Sequence, residues 1–312
     1  MKLVSFANNG RKSIGAIDGE VVIDLQTAYK AKIENEGKLF SNQLAEVCLP
    51  DNMVEFLQGG KESMDAAKEA VQFALKNNPH DIPLTLNKSD IKICAPILNP
   101  GKIIGVGHNY RDHIVEMGRD LPTYPVLFAK FANTVIGPEE DIPFYPISEQ
   151  LDYEAELAFV IGKRARNVPQ ETALDYVAGY TICNDVTYRD IQRRTTQFFQ
   201  GKSIDGTAPM GPWIVTSDEI KDPSRLEISL SVNGEERQRS NTSNLIFTVQ
   251  SLIEYLSELM TLDPGDVILT GTPGGVGVAR NPQAFLKDGD VVRIEIEKIG
   301  VLQNKVKKVA TI

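Results

Sequence analysis

Residues 151–161 constrain this chain more than any other stretch. With a period of two, Leu151, Tyr153, Ala155, Leu157, Phe159 and Ile161 make one apolar face. The opposite face begins with Asp152, Glu154 and Glu156 and turns apolar at Ala158 and Val160. Successive side chains point to opposite sides of a strand, so this pattern specifies β structure. Glu154 and Glu156 then share one face, where like charges repel. That is cheap in water and costly in a cleft unless a cation sits between them. Taken alone, a Glu-x-Glu pair is most often a solvated edge.

A further carboxylate changes the reading. Tyr180-Thr181-Ile182-Cys183-Asn184 is a second strand candidate that ends at Asp185 and runs into the helical Tyr188-Arg189-Asp190-Ile191-Gln192. Asp185 at a strand end can meet Glu154 and Glu156 from a neighbouring strand. Three carboxylates with no nitrogen or sulfur ligand suit a hard cation, Mg²⁺ or Mn²⁺, and leave about three of six octahedral positions for water and substrate. Cys48, Cys94 and Cys183 are scattered, and no Cys-x-x-Cys or His-Glu-x-x-His occurs. A disulfide framework, a thiolate zinc site and a zincin are thereby excluded.

The rest of the chain fits a strand-rich α+β protein. Short strands over residues 2–24 are separated by Asn-Asn-Gly and Asp-Gly turns, and helical patterns follow at 41–48 and 61–77. Residues 79–90 are rich in Pro, Asp and Asn and read as a linker. The expected organisation is a small N-terminal α+β domain, 1–90, and a catalytic domain, 91–312. In the second part, strand candidates at 103–106, 226–232, 267–269 and 291–294 accompany one amphipathic helix at 243–260. This is not the regular βαβ alternation of a doubly wound sheet. A net charge of −9 argues against nucleic acid or an acidic membrane surface as main partner. The apolar runs are too short for a signal peptide or for a span of ~18–20 residues, so a cytoplasmic protein is expected.

Other motifs carry chemistry. Gly105-Val106-Gly107-His108-Asn109-Tyr110 lacks the third glycine of a dinucleotide loop. His113 and Glu116 are three apart and share a helix face, which makes them a candidate imidazole–carboxylate base dyad. Gly271-Thr272-Pro273-Gly274-Gly275-Val276-Gly277 lacks the Lys-Ser/Thr of a P-loop, but its glycines let backbone N–H groups approach an anion closely. Lys202 lies in the loop-like Gln200-Gly201-Lys202-Ser203-Ile204-Asp205.

Taken in order, these segments resemble the fumarylacetoacetate hydrolase superfamily. The matching stretches are Gly107-His108-Asn109-Tyr110-Arg111-Asp112-His113 with Glu116, Phe128-Ala129-Lys130, Ile136-Gly137-Pro138, Asp152-Tyr153-Glu154-Ala155-Glu156-Leu157, Asn184-Asp185-Val186 with Arg189-Asp190 and Gln192, Gly201-Lys202-Ser203, Gly211-Pro212-Trp213 and the glycine loop. The resemblance implies a mixed β-roll/β-sandwich catalytic domain, a divalent metal (Mg²⁺ or Mn²⁺) and a homodimer. It implies Glu154, Glu156 and Asp185 as ligands, with Lys202 as the cation near the reacting oxygen. It makes His113 and Glu116 the base dyad on a lid helix, and places Arg189, Gln192, Lys130 and Thr272 against a small 2-oxo acid. His108 and Tyr188 depart from the smaller residues more usual there, so they bear on substrate identity. The expected reaction is hydrolysis of the carbon–carbon bond of an acylpyruvate, a 2,4-dioxo acid, to pyruvate and a carboxylic acid. Oxaloacetate decarboxylation, or isomerisation or decarboxylation of an unsaturated hydroxy-dioate, is the alternative, needing the same metal but no attacking water.

Overall fold

The turn signals set the N-terminal strands. β1 (Lys2–Asn8) and β2 (Arg11–Asp18) close around Asn9 and Gly10, both at positive φ as a type I′ hairpin requires. β3 (Val21–Asp24) leads into α1 (Leu25–Asn35), whose first turn is capped by the Asp24 carboxylate accepting from the Thr27 N–H at 3.0 Å. Then come α2 (Ser41–Cys48), α3 (Met53–Gln58) and α4 (Gly60–Lys76). Periodicity finds α2 and α4 but not α1 and α3, whose starts are set by the Asp24 and Asn52 caps. β4 (Thr85–Asn87) lies inside the segment read as a linker. The computed structural model describes residues 1–77, 83–116, 118 and 120–310, with the backbone alone at His113.

Beyond residue 90 the chain runs through β5 (Lys92–Ile93), β6 (Ile103–Gly107), α5 (Arg111–Glu116), β7 (Val126–Lys130), β8 (Val135–Ile136) and β9 (Ile142–Phe144). It continues with β10 (Leu151–Asp152), β11 (Ala155–Ile161), β12 (Val177–Asn184), β13 (Thr187–Tyr188), α6 (Arg189–Gln192) and α7 (Phe199–Lys202). It ends with β14 (Ala208–Thr216), β15 (Glu227–Val232), β16 (Glu235–Asn241), α8 (Val249–Leu259), β17 (Val267–Leu269), β18 (Val291–Ile296) and β19 (Gly300–Lys308). α8 starts six residues later than its amphipathic pattern suggests. Asn109 holds Phe247 in an extended loop, accepting from its N–H at 2.7 Å and donating to its carbonyl at 3.0 Å, and Thr248 then caps the helix through the Ser251 N–H.

Among the described residues the main sheet has the order β4-β3-β2-β1-β14-β12-β11-β17-β6-β7, with β5 on β1 and β8 on β14. A second sheet runs β16-β15-β18-β19-β9. Both are mixed: β17 pairs with β6, and β19 with β9, in parallel. This is the strand-rich α+β architecture the turn and alternation signals indicate. The core between the sheets takes Leu151, Tyr153 and the odd residues of β11, together with β15, β18 and α8. The even residues Ala158 and Val160 enter a second core with Ala66, Ala67 and Ala70 of α4, and Leu3 and Ile14 of the N-terminal strands. The first 90 residues therefore share both a sheet and a hydrophobic core with the rest of the chain. No helix among the described residues is long and apolar enough to cross a membrane.

Candidate metal centre and active site

The site grows from one irregularity. The stretch 151–161 is not a continuous strand. β10 pairs with β13, Asp152 opposite Thr187, and β11 pairs with β12, Ala155 opposite Asn184. Tyr153-Glu154 and Asp185-Val186 fall between the two ladders. There the Asp185 N–H donates to the Glu154 carbonyl at 2.9 Å, and the Asn184 amide oxygen accepts from the Glu154 N–H at 3.0 Å. The shared break puts the Glu154 and Asp185 side chains next to each other, and Glu156 follows two residues into β11. Ligand atoms of Glu154, Glu156 and Asp185 all lie within 4.8 Å of one another, and all three residues are buried, so the solvated-edge reading fails.

Cations of the protein already crowd this cluster. The Lys202 ammonium donates to Glu154 at 2.8 Å and to Asp185 at 2.5 Å. Lys202 sits in α7, not in a loop, and is 2% exposed. Burial works against its charge, but Asp185 and Glu154 outweigh that and hold its pKa above the usual lysine range. Arg189 at the start of α6 donates from Nε to Asp152 at 2.7 Å, and its Nη1 pairs with Glu154 at 2.7 Å. Nη1 also reaches Gln192 at 3.3 Å, while its buried Nη2 has no hydrogen-bond partner. Lys130, expected against the substrate, lies behind the cluster instead. It is 2.9 Å from Asp185, donates to the Lys202 carbonyl, and is buried away from the cavity wall, where it orients Asp185. Burial pushes its pKa down, with Asp185 pulling it back.

The charges do not balance. Four buried carboxylates, Asp152, Glu154, Glu156 and Asp185, face three buried cations, Lys130, Lys202 and Arg189. The surplus falls on Glu156, which no described cationic side chain pairs and which accepts one backbone bond, from the Gly271 N–H at 2.5 Å. Burial first, then the charges of Asp185 and Glu154, push its carboxyl well above the ordinary range. An all-oxygen trio carrying an uncompensated buried charge fits a hard divalent cation.

The glycine loop does bind anions, but they are the protein's own. Gly271 N–H holds Glu156, Gly275 N–H holds Glu116 at 3.1 Å, and Gly277 and Val278 N–H groups hold Asp152 at 2.8 and 3.0 Å. Gln238, reaching in from β16, accepts from the Ala155 N–H at 3.0 Å, between the two glutamates. It donates to the Thr272 hydroxyl and the Pro273 carbonyl, each at 2.8 Å. Neither Asp152 as an anchor nor Gln238 as a clamp is evident from sequence. The one local signal, Asp152 two residues before Glu154, reads as a third member of the same face. Gly275 allows no other residue. It has φ +103°, its N–H carries Glu116, its carbonyl accepts from the Tyr153 hydroxyl at 3.1 Å, and a Cβ would run into the Arg237 carbonyl. Gly275→Ala is expected to cost about 2–4 kcal/mol of unfolding free energy in urea titrations and to lower activity as Glu116 loses its anchor. Wild-type stability in this variant would contradict the clamp.

The cavity above the carboxylates has about 260 Å³. Glu154, Glu156, Lys202, Arg189, Gln192 and Thr272 reach it, and His108 and Phe198 stand edge to face at its rim, with ring centres 6.2 Å apart. Tyr188 does not reach it. Its hydroxyl donates to the Pro143 carbonyl at 3.0 Å and accepts from the Tyr145 N–H at 2.8 Å behind the site. α5 is tied to the loop through Glu116, which accepts from the Gly275 N–H, and to β16 through Asp112, which accepts from the Ser240 hydroxyl at 2.8 Å. The His113 side chain and residues 117 and 119, in the segment expected to form a lid, lie outside the described residues.

Residues 102–307 match the family model described as fumarylacetoacetate (FAA) hydrolase C-terminal. The chain belongs to the fumarylacetoacetate hydrolase family. Within it, the chain is 42% identical over 311 residues to the oxaloacetate tautomerase YisK of Bacillus subtilis, covering 98% of this chain and 100% of YisK. It is 44% identical over 277 residues to the mitochondrial oxaloacetate tautomerase fahd2 of Xenopus laevis, covering 88% and 84%. Among solved family structures, the fumarylacetoacetate hydrolase of psychrophilic Exiguobacterium antarcticum superposes with a TM-score of 0.81 at 37% identity, covering 99% of this chain and 100% of that one. The maleylpyruvate hydrolase of Sphingobium sp. SYK-6, in complex with manganese(II) and pyruvate, gives 0.76 at 27%, again covering 99% and 100%.

Proposed function

We propose that this enzyme interconverts the keto and enol tautomers of oxaloacetate with a divalent cation held by Glu154, Glu156 and Asp185. The observation that carries the reading is the buried carboxylate trio with one unbalanced charge beneath a small cavity. When bound, the cation acts as a Lewis acid toward the carbonyl oxygen of a 2-oxo acid and so acidifies its C3–H. The chain's own groups do the rest. Lys202 places an ammonium where negative charge grows on that oxygen. Arg189 and Gln192 orient the substrate from α6. His113, with Glu116 set against the Gly275 N–H, takes the C3 proton and returns it, while the oxygen gains or loses its own proton to water.

The expected acylpyruvate hydrolysis becomes the second reading. The relatives at 42–44% identity are named for oxaloacetate tautomerisation, whereas the likeness to a maleylpyruvate hydrolase is at 27%. Tautomerisation needs proton transfer alone and no positioned water. The test starts from enol oxaloacetic acid and follows the loss of enol absorbance. The Mn²⁺ form should accelerate it more than about 10²-fold, chelator should abolish the effect, and Glu116→Ala should lower it about 10²-fold. Pyruvate release from an acylpyruvate panel should stay slow. An unaccelerated enol decay, with rapid pyruvate release, would reverse the order of the two readings.

A further inference from the structure

We propose that Arg193 recognises the distal carboxylate of a short dicarboxylic 2-oxo acid and so selects dianions over monoanions of equal length. The proposal deepens the reading of this site as a 2-oxo acid centre and rests on it.

Arg193 directly follows α6, in helical backbone geometry, and its N–H donates to the Arg189 carbonyl at 3.2 Å. The two arginines are therefore one helical turn apart on the same face. Both line the cavity, Arg189 from its buried floor and Arg193 from its exposed mouth. They differ in occupation. Arg189 spends Nε and Nη1 on Asp152, Glu154 and Gln192 and keeps only the buried Nη2 without a partner. Among the described residues, Arg193 makes no ion pair or side-chain hydrogen bond, so its whole guanidinium remains for a ligand.

Charge makes the second arginine necessary. The buried groups sum to one negative charge, and a divalent cation turns that into one positive charge. A monoanion then neutralises the site, whereas a dianion leaves one negative charge in excess. Arg193 supplies the balancing charge at the exposed mouth of the cavity. The cavity's about 260 Å³ is below the roughly 300–1,000 Å³ of sites for drug-sized ligands, which suits a small substrate. A planar guanidinium suits a carboxylate better than an ammonium because it offers two parallel N–H donors.

The experiment compares Arg193→Gln and Arg193→Lys with wild type, all loaded with Mn²⁺. Affinities for oxaloacetate and for 2-oxobutanoate, a four-carbon monoanion, are measured by calorimetric displacement of oxalate, beside kcat and KM for enol oxaloacetate. Oxalate has no distal group, so its own affinity should hold within about twofold in Arg193→Gln, and unchanged melting will show that the exposed substitution is tolerated. Oxaloacetate affinity should fall about tenfold and KM rise equally, with kcat within about threefold and 2-oxobutanoate unchanged. Arg193→Lys should recover part of the loss. Equal weakening of oxalate and oxaloacetate, or an unchanged ratio of oxaloacetate to 2-oxobutanoate affinity, would overturn the assignment while leaving tautomerisation intact. A wild type that binds oxaloacetate without tautomerising it, and loses its preference for the dianion in Arg193→Gln, would do the reverse.

Discussion

Glu156→Gln is expected to make the metal-free protein more stable and the metal-binding protein far weaker. Glu156 is 1% exposed and carries the charge that no buried cation balances. Glutamine keeps the shape and can still accept from the Gly271 N–H, but removes the unpaired charge. An uncompensated buried ion costs several kcal/mol after relaxation, so the chelated variant should gain about 1–3 kcal/mol and melt a few degrees higher. Losing a partner outside the ligand shell costs about 10–100-fold in metal affinity, so losing a ligand should cost at least about 10²-fold, and the melting shift caused by Mn²⁺ should largely vanish. The pH dependence has a definite sign. The folded-state pKa of Glu156 lies above its unfolded value, so across the interval between them the folded protein binds the extra proton. Chelated wild type should therefore lose stability as pH rises from the ordinary carboxylate value toward the raised one, and Glu156→Gln should flatten that slope. Scanning calorimetry in chelator across this interval, with and without Mn²⁺, checks both parts. A chelated variant that melts below wild type would refute the account of surplus charge.

Lys202→Met should produce the largest loss of activity. The ammonium is buried between Glu154 and Asp185, and the proposed reaction sets it where negative charge grows on the substrate oxygen. Removing a preorganised group of this kind costs about 10²–10³-fold in kcat. Removing one partner of a buried ion pair also costs about 3–5 kcal/mol of stability. That second loss should shrink when Mn²⁺ is present, because the cation takes over the pairing with Glu154 and Asp185. Melting curves with and without Mn²⁺, beside kcat at saturating Mn²⁺, separate the two effects. Activity within tenfold of wild type in the metal-loaded variant would remove Lys202 from the chemistry.

The amino-acid order alone carries the strand of residues 155–161, its apolar odd face, and three carboxylates placed to meet on neighbouring strands. These rest on period-two alternation and on turn residues such as Asn9-Gly10, which are local properties of the chain. The family resemblance, not spacing, implies Lys202, Arg189 and Gln192 beside the cluster, since a single lysine in a loop reads by itself as a solvated charge.

What the sequence leaves open are the contacts that hold the carboxylates in place. The bond from the Gly277 N–H to Asp152 spans 125 residues, that from the Ala155 N–H to Gln238 spans 83, and that from the Gly275 N–H to Glu116 spans 159. Alternation states which face a residue takes but not which distant loop will cover it. Lys130 shows the same limit. The resemblance places it against the substrate, and only the packing of β7 against the Asp185 turn puts its ammonium behind the cluster. Tertiary structure also decided the charge balance. Whether four carboxylates and three cations repel, pair or call for a metal depends on their common burial, and burial is created only when both sheets close around them.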